Sequence, residues 1–148
     1  MPTWLIFALG TVCCWGAYGT AIHKSNALLA NPLKTALLVG VAYFFLAVLI
    51  PSLIMKSAGA DWSFPGKGMM FGLLAGSLGA VGAICVIYSM KSGGNPQYVM
   101  PIIFGCAPLV NVIVSSIAHP PKAVNPIFWL GVLVLASGAG MVLYFQPK

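Results

Sequence analysis

Five stretches of about 20 residues each, at 4–22, 33–55, 68–90, 98–118 and 127–145, contain no acid and no arginine, and their single lysine is Lys34 at the mouth of the second. At about 1.5 Å per residue, a helix of that length spans the roughly 30 Å hydrocarbon core of a bilayer. Hydrocarbon offers no partner to a backbone N–H or C=O, so segments of this kind are helices, which satisfy their backbone internally. The connectors, near 23–32, 56–67, 91–97 and 119–126, hold the other internal lysines and the only acid, Asp61. Charged residues make up 5% of the chain against about 25% in soluble domains, so a water-soluble fold would expose apolar surface far beyond tolerance. The expected fold is an all-α integral membrane protein, one transmembrane domain over 1–148, in contact with the lipid bilayer.

The helix starts carry independent signals. Asn31-Pro32, Asn95-Pro96 and Asn125-Pro126 each precede an apolar run. Asparagine is a good N-cap, and proline at the first helical position gives up an N–H that has no partner there anyway. Pro2 and Pro65 stand in comparable places before the first and third helices. The first apolar run lacks a charged n-region and is longer than the usual 7–15 residues of a signal peptide, so it is expected to remain as an anchor.

Net charge is +6, from seven lysines spread singly over helix ends, where long side chains reach anionic headgroups. Nucleic-acid binding would require basic residues clustered on one face, and none is expected. Counted by side, Lys56, Lys67 and Lys122 stand against Lys24, Lys34, Lys91 and Lys148. This near balance leaves the positive-inside rule without a preference and favours insertion in both orientations. Two oppositely inserted copies would form an antiparallel homodimer, the two-chain form of an inverted repeat; the alternative is one orientation set by a partner or by the first helix.

The stretch "TVCCWGAYGTAIHK" at 11–24 concentrates reactive residue types. Adjacent Cys13 and Cys14 do not form an ordinary bridge, and with Cys85 and Cys106 they read as small buried hydrophobes. His23 is ten residues from Cys13, about 15 Å along a helix, too far for a thiolate–imidazole pair. No metal-ligand spacing occurs, and neither a metal, a cofactor nor enzymatic activity is expected. Trp15 and Tyr18 remain, three residues apart on one face. Trp4, Trp62, Tyr98, Trp129 and Tyr144 fit the interfacial aromatic belt, but Trp15 falls near the middle of its span. It reads either as a wall of a wet cavity or as a packed ring whose N–H bonds a carbonyl.

Gly68, Gly72 and Gly76 recur at four-residue spacing in helix 3, and helix 5 carries Gly138 among other small residues, both patterns that let helices approach closely in lipid. Helix 4 contains Pro101 and Pro108, each of which frees a carbonyl one turn upstream. Asn111 and Ser115 follow on one face. Interrupted, polar backbone at membrane depth is a mark of a transporter binding site, with interhelical hydrogen bonding by Asn111 as the alternative. With no carboxylate in any span and no arginine to clamp an anion, a substrate would be held by aromatic faces, hydroxyls, Asn111 and open carbonyls. That chemistry suits neutral, zwitterionic or amphipathic small molecules.

The segments "CWGAYGTAIHKS", "YSMKSGGNPQYVMPIIFGCAPLVNVIVS" and "GVLVLASGAGMVL" resemble the drug/metabolite transporter superfamily, specifically one EamA-like five-helix half. The resemblance implies half of an inverted-repeat transporter fold, with helices 1, 3 and 4 lining the substrate path. Onto this chain that carries Trp15, Tyr18, Tyr88 and Asn111 as lining residues, beside the Pro108 and Ser115 of helix 4. Small multidrug resistance relatives use a glutamate in helix 1, and this chain has none there, which argues against proton-coupled multidrug export. The expected function is a metabolite permease or exporter working as a homodimer in a bacterial inner membrane. The alternative is a non-transporting accessory subunit of a larger membrane complex.

Overall fold

The computed structural model describes residues 2–118 and 125–147. Five helices account for most of them: α1 Thr3–Leu29, α2 Pro32–Ser57, α3 Gly66–Lys91, α4 Pro96–Ala118 and α5 Pro126–Tyr144, all long and apolar enough to cross a membrane. No strand occurs among the described residues. Lys122, Lys148 and the connector at 119–124 lie outside them.

Each Asn-Pro pair starts a helix for the expected reason. The side-chain Oδ1 of Asn31 accepts from Leu33 N, that of Asn95 from Gln97 N, and that of Asn125 from Ile127 N, each at 2.9 Å. The connector between α2 and α3 closes on Asp61, which accepts from Ser63 N at 3.0 Å and from the Ser63 hydroxyl. The bond from the Ser63 hydroxyl, joined by those from backbone N–H groups, holds the Asp61 carboxyl below its ordinary value. Helices α2 to α5 begin and end within two residues of the expected limits.

Helix α1 does not. It continues seven residues past the expected end at 22, because the polar residues that resemble a connector are used between helices. Asn26 is buried, and its Nδ2 donates to the Ile87 carbonyl of α3 at 2.9 Å. The hydroxyls of Ser25 and Thr35 lie 3.0 Å apart, tying α1 to α2. In lipid such pairs are worth about 0.6 kcal/mol on average and up to roughly 1.7. The helix ends at Ala30, whose φ of 55° is left-handed, with Lys91 Nζ 3.5 Å from its carbonyl. His23 and Lys24 are therefore helical residues, both exposed.

Helix α2 changes its winding at Phe44–Leu49, where Ile50 N bonds Phe45 O five residues back. Pro51 supplies the cause. It has no N–H for the carbonyl of Ala47, and its ring presses on that turn, so widening the turn by one residue keeps the remaining groups paired. Lipid enforces this repair, since an open carbonyl on an exposed helix has no water to turn to.

The chain divides into two units, 20–93 and 1–19 with 94–148. The first holds the end of α1 with α2 and α3. Its buried residues are Ile22, Asn26, Thr35, Ala83, Ile87 and Met90. The second holds the beginning of α1 with α4 and α5, and buries Val99, Met100, Val132 and Ala139. The apolar windows of the five spans are only 0–11% buried within the chain. The four cysteines, expected to be buried, are free and exposed, because the medium at their depth is hydrocarbon, where a thiol needs no protein cover.

Replacing Ala30 by Gly relieves the left-handed residue and is expected to stabilise the chain by about 1 kcal/mol, read as a raised midpoint of thermal unfolding in detergent. The Asp61 turn has a lowered carboxyl pKa, so its contribution is complete above the ordinary carboxylate value near 3.8. It is expected to disappear as pH falls through the lowered value, seen as loss of hydrogen-exchange protection at Ser63 N.

Candidate functional site

In the unit formed by α1, α4 and α5, the start of α1 and the start of α4 run past each other antiparallel. A Cβ at Gly19 would run into the Met100 side chain, so glycine is what allows this approach. One turn back on α1 and one turn on along α4, the rings of Trp15 and Phe104 stack at 6.0 Å between centroids, with 21° between planes. The two contacts fix the register. Helical geometry then places Met100, Phe104, Pro108, Asn111 and Ser115 along one stripe of α4, within about 40° of Phe104.

The stripe changes character along its length. Met100 is buried and Phe104 is half-buried, whereas Asn111 and Ser115 are exposed. Opposite them on α1, Ala8 and Trp4 are exposed as well, Trp4 at 67%. Packing therefore closes α1 on α4 at Gly19–Met100, the aromatic stack follows, and past it both stripes are open. Pro108 has no N–H for the Phe104 carbonyl, so one residue presents both an aromatic face and a backbone acceptor freed of its helical partner. Asn111 is exposed and thus not spent on a buried contact within this chain.

Of the residues expected to line a path, Trp15, Tyr18, Pro108, Asn111 and Ser115 belong to this unit. Trp15 is 56% exposed and Tyr18 half-buried. Tyr88 belongs to the other unit and is exposed on α3. Phe104 was not anticipated, although its position one turn before Pro108 was the available signal. Asn26, Ser25 and Thr35 were also missed, because polar residues near a span end resemble a connector.

The glycines expected to pack helices give a different picture. Gly68, Gly72, Gly76 and Gly138 would each have open space where a Cβ stood. Close packing is done instead by Gly19 and by Gly105, where a Cβ would come 2.6 Å from the Ala139 Cβ and 3.4 Å from the Leu135 carbonyl of α5. Gly105 sits one residue round from Phe104, so α4 meets α5 on one flank and α1 on the next. The regular four-residue pattern on α3 is thus left outside the contacts of a single chain. Among the described residues, no three His, Cys, Asp or Glu side chains come together.

The fold and the site define an all-α integral membrane protein with an aromatic contact near the middle of two of its spans. Comparison with protein-family models, with curated proteins and with solved structures finds no match.

Gly105→Val is expected to destabilise the chain by roughly 1–3 kcal/mol through overpacking against α5, whereas Gly138→Ala, in a helix interior with open space at its Cβ, should leave stability unchanged or raise it by up to about 1 kcal/mol. Thermal unfolding of the two variants in detergent checks both.

Proposed function

We propose that the chain is a five-helix half-transporter, working as a homodimer, for a small neutral, zwitterionic or amphipathic metabolite. The observation that carries this reading is the Trp15–Phe104 stack, set beside the carbonyl that Pro108 frees and below the exposed Asn111 and Ser115. An aromatic floor, a backbone acceptor and an amide with hydroxyl form a binding surface for a molecule that is apolar on one side and polar on the other. None of these groups ionises, so the substrate need bring no compensating charge. A bacterial inner membrane is the setting that the resemblance to EamA-like halves implies.

The need for a second copy rests on the shallow burial of every span and on the open glycine face of α3. The near balance of lysines, three against four, favours an antiparallel pair. Shallow burial also favours the second reading, an accessory subunit whose cover is a different membrane protein. The two separate on isolation: a stable dimer of this chain alone supports transport, and a copurifying partner in fixed ratio supports the accessory role.

Trp15→Ala removes a ring contact worth about 0.5–1.5 kcal/mol and should lower uptake or efflux roughly two- to ten-fold with dimer assembly unchanged, while Trp15→Phe keeps most activity. Equal loss of activity and of folded protein would instead mark Trp15 as a packing residue. For orientation, single cysteines introduced at Ser92 and at Ala123 (outside the described residues), in a chain with the four native cysteines replaced, should both react partially with an impermeant reagent in intact cells. Reaction at one position alone would exclude a lone antiparallel dimer.

A further inference from the structure

We infer that the outer face of α2 is a binding site for one anionic phospholipid, with its phosphate between Lys24 and Lys34 and an acyl chain in the groove below. The Ser25–Thr35 contact fixes how α1 and α2 face each other. The two helices run antiparallel, so stepping back one residue from each hydroxyl turns each side chain by 100° toward the same flank of the pair. Those residues are Lys24 and Lys34, both exposed. The opposite flank is occupied: Asn26, one step the other way, reaches α3 there. The only acidic side chain of the sequence, Asp61, follows the far end of α2, so no acidic side chain among the described residues answers the two ammonium groups.

Below Lys34 a shallow apolar groove, open to the surroundings and formed by α2 alone, is lined by Leu33, Ala36, Leu37, Gly40, Val41, Phe44 and Phe45. On the helical wheel Lys34 falls between Val41 and Phe45, at the groove's edge. From residue 33 to 45 the groove is about 18 Å long, close to one leaflet of a roughly 30 Å core. Gly40 opens its middle, with nothing within 4 Å of where a Cβ would stand. At its far end the widened turn at Phe44–Leu49 begins. A cationic pair at headgroup level over a leaflet-deep apolar groove matches a phosphodiester with its chain, and the charge at the mouth selects an anionic headgroup over a zwitterionic one.

The test uses the delipidated full chain in detergent, titrated by native mass spectrometry with dipalmitoyl phosphatidylglycerol, dipalmitoyl phosphatidylcholine and inorganic phosphate. One phosphatidylglycerol per chain is expected, retained more tightly than phosphatidylcholine and not displaced by phosphate. At about 1 kcal/mol per lysine, Lys24→Gln with Lys34→Gln should weaken phosphatidylglycerol roughly thirty-fold, to the level of phosphatidylcholine. Gly40→Leu, which fills the groove and leaves both lysines, should weaken both lipids; thermal unfolding confirms that each variant is folded. Equal retention of the two lipids by the native chain, phosphatidylglycerol binding unchanged in the lysine variant, or displacement by phosphate alone would overturn the site. So would a dimer of this chain whose formation expels the lipid.

Discussion

A backbone polar group in hydrocarbon must find its partner within the protein, and most features of this chain are answers to that requirement. It makes every span a helix. It places an asparagine cap and a proline at three of the helix starts, where the first N–H groups have no partner within the helix. It forces α2 to rewind where Pro51 withholds a donor, and it makes the carbonyl released by Pro108 conspicuous, because open backbone at mid-span needs an interacting group. A structure that repairs one proline and leaves the consequences of another beside an aromatic stack has set those two places to different uses.

The second consequence of the solvent is that apolar burial is a weak guide to what holds the helices together. Lipid tails are as apolar as leucine, so exposure of large side chains costs little. What fastens the helices is the Met100 side chain seated on Gly19, the close backbone approach at Gly105 and the hydrogen bonds of Ser25, Asn26 and Thr35. These contacts gather at the end of α1 with α2 and α3, and at the start of α1 with α4 and α5. The exposed remainder is surface available to lipid, to a second copy and to a substrate. The proposed transport site and the proposed lipid site both draw on that remainder, the first through the aromatic stack and amide of α1 and α4, the second through the lysines and groove of α1 and α2.

The sequence by itself determined the number of spans, their limits for α2 to α5 and the capped starts of α2, α4 and α5, because hydrophobic length and Asn-Pro chemistry are local properties. It also brought out Trp15 and Pro108, one by its depth and the other by its missing donor. It misjudged the end of α1, since Asn26 and Ser25 are polar in any list of residues and become interior only when α3 and α2 supply their partners. Which glycines pack could not be read either. The regular row at Gly68, Gly72 and Gly76 carries the stronger pattern, yet contact depends on where a neighbour crosses, and the crossings fall at isolated Gly19 and Gly105. Only the tertiary structure decided that Phe104 is the ring opposite Trp15, because their pairing rests on the antiparallel register of α1 and α4, residues some ninety positions apart that no local property connects.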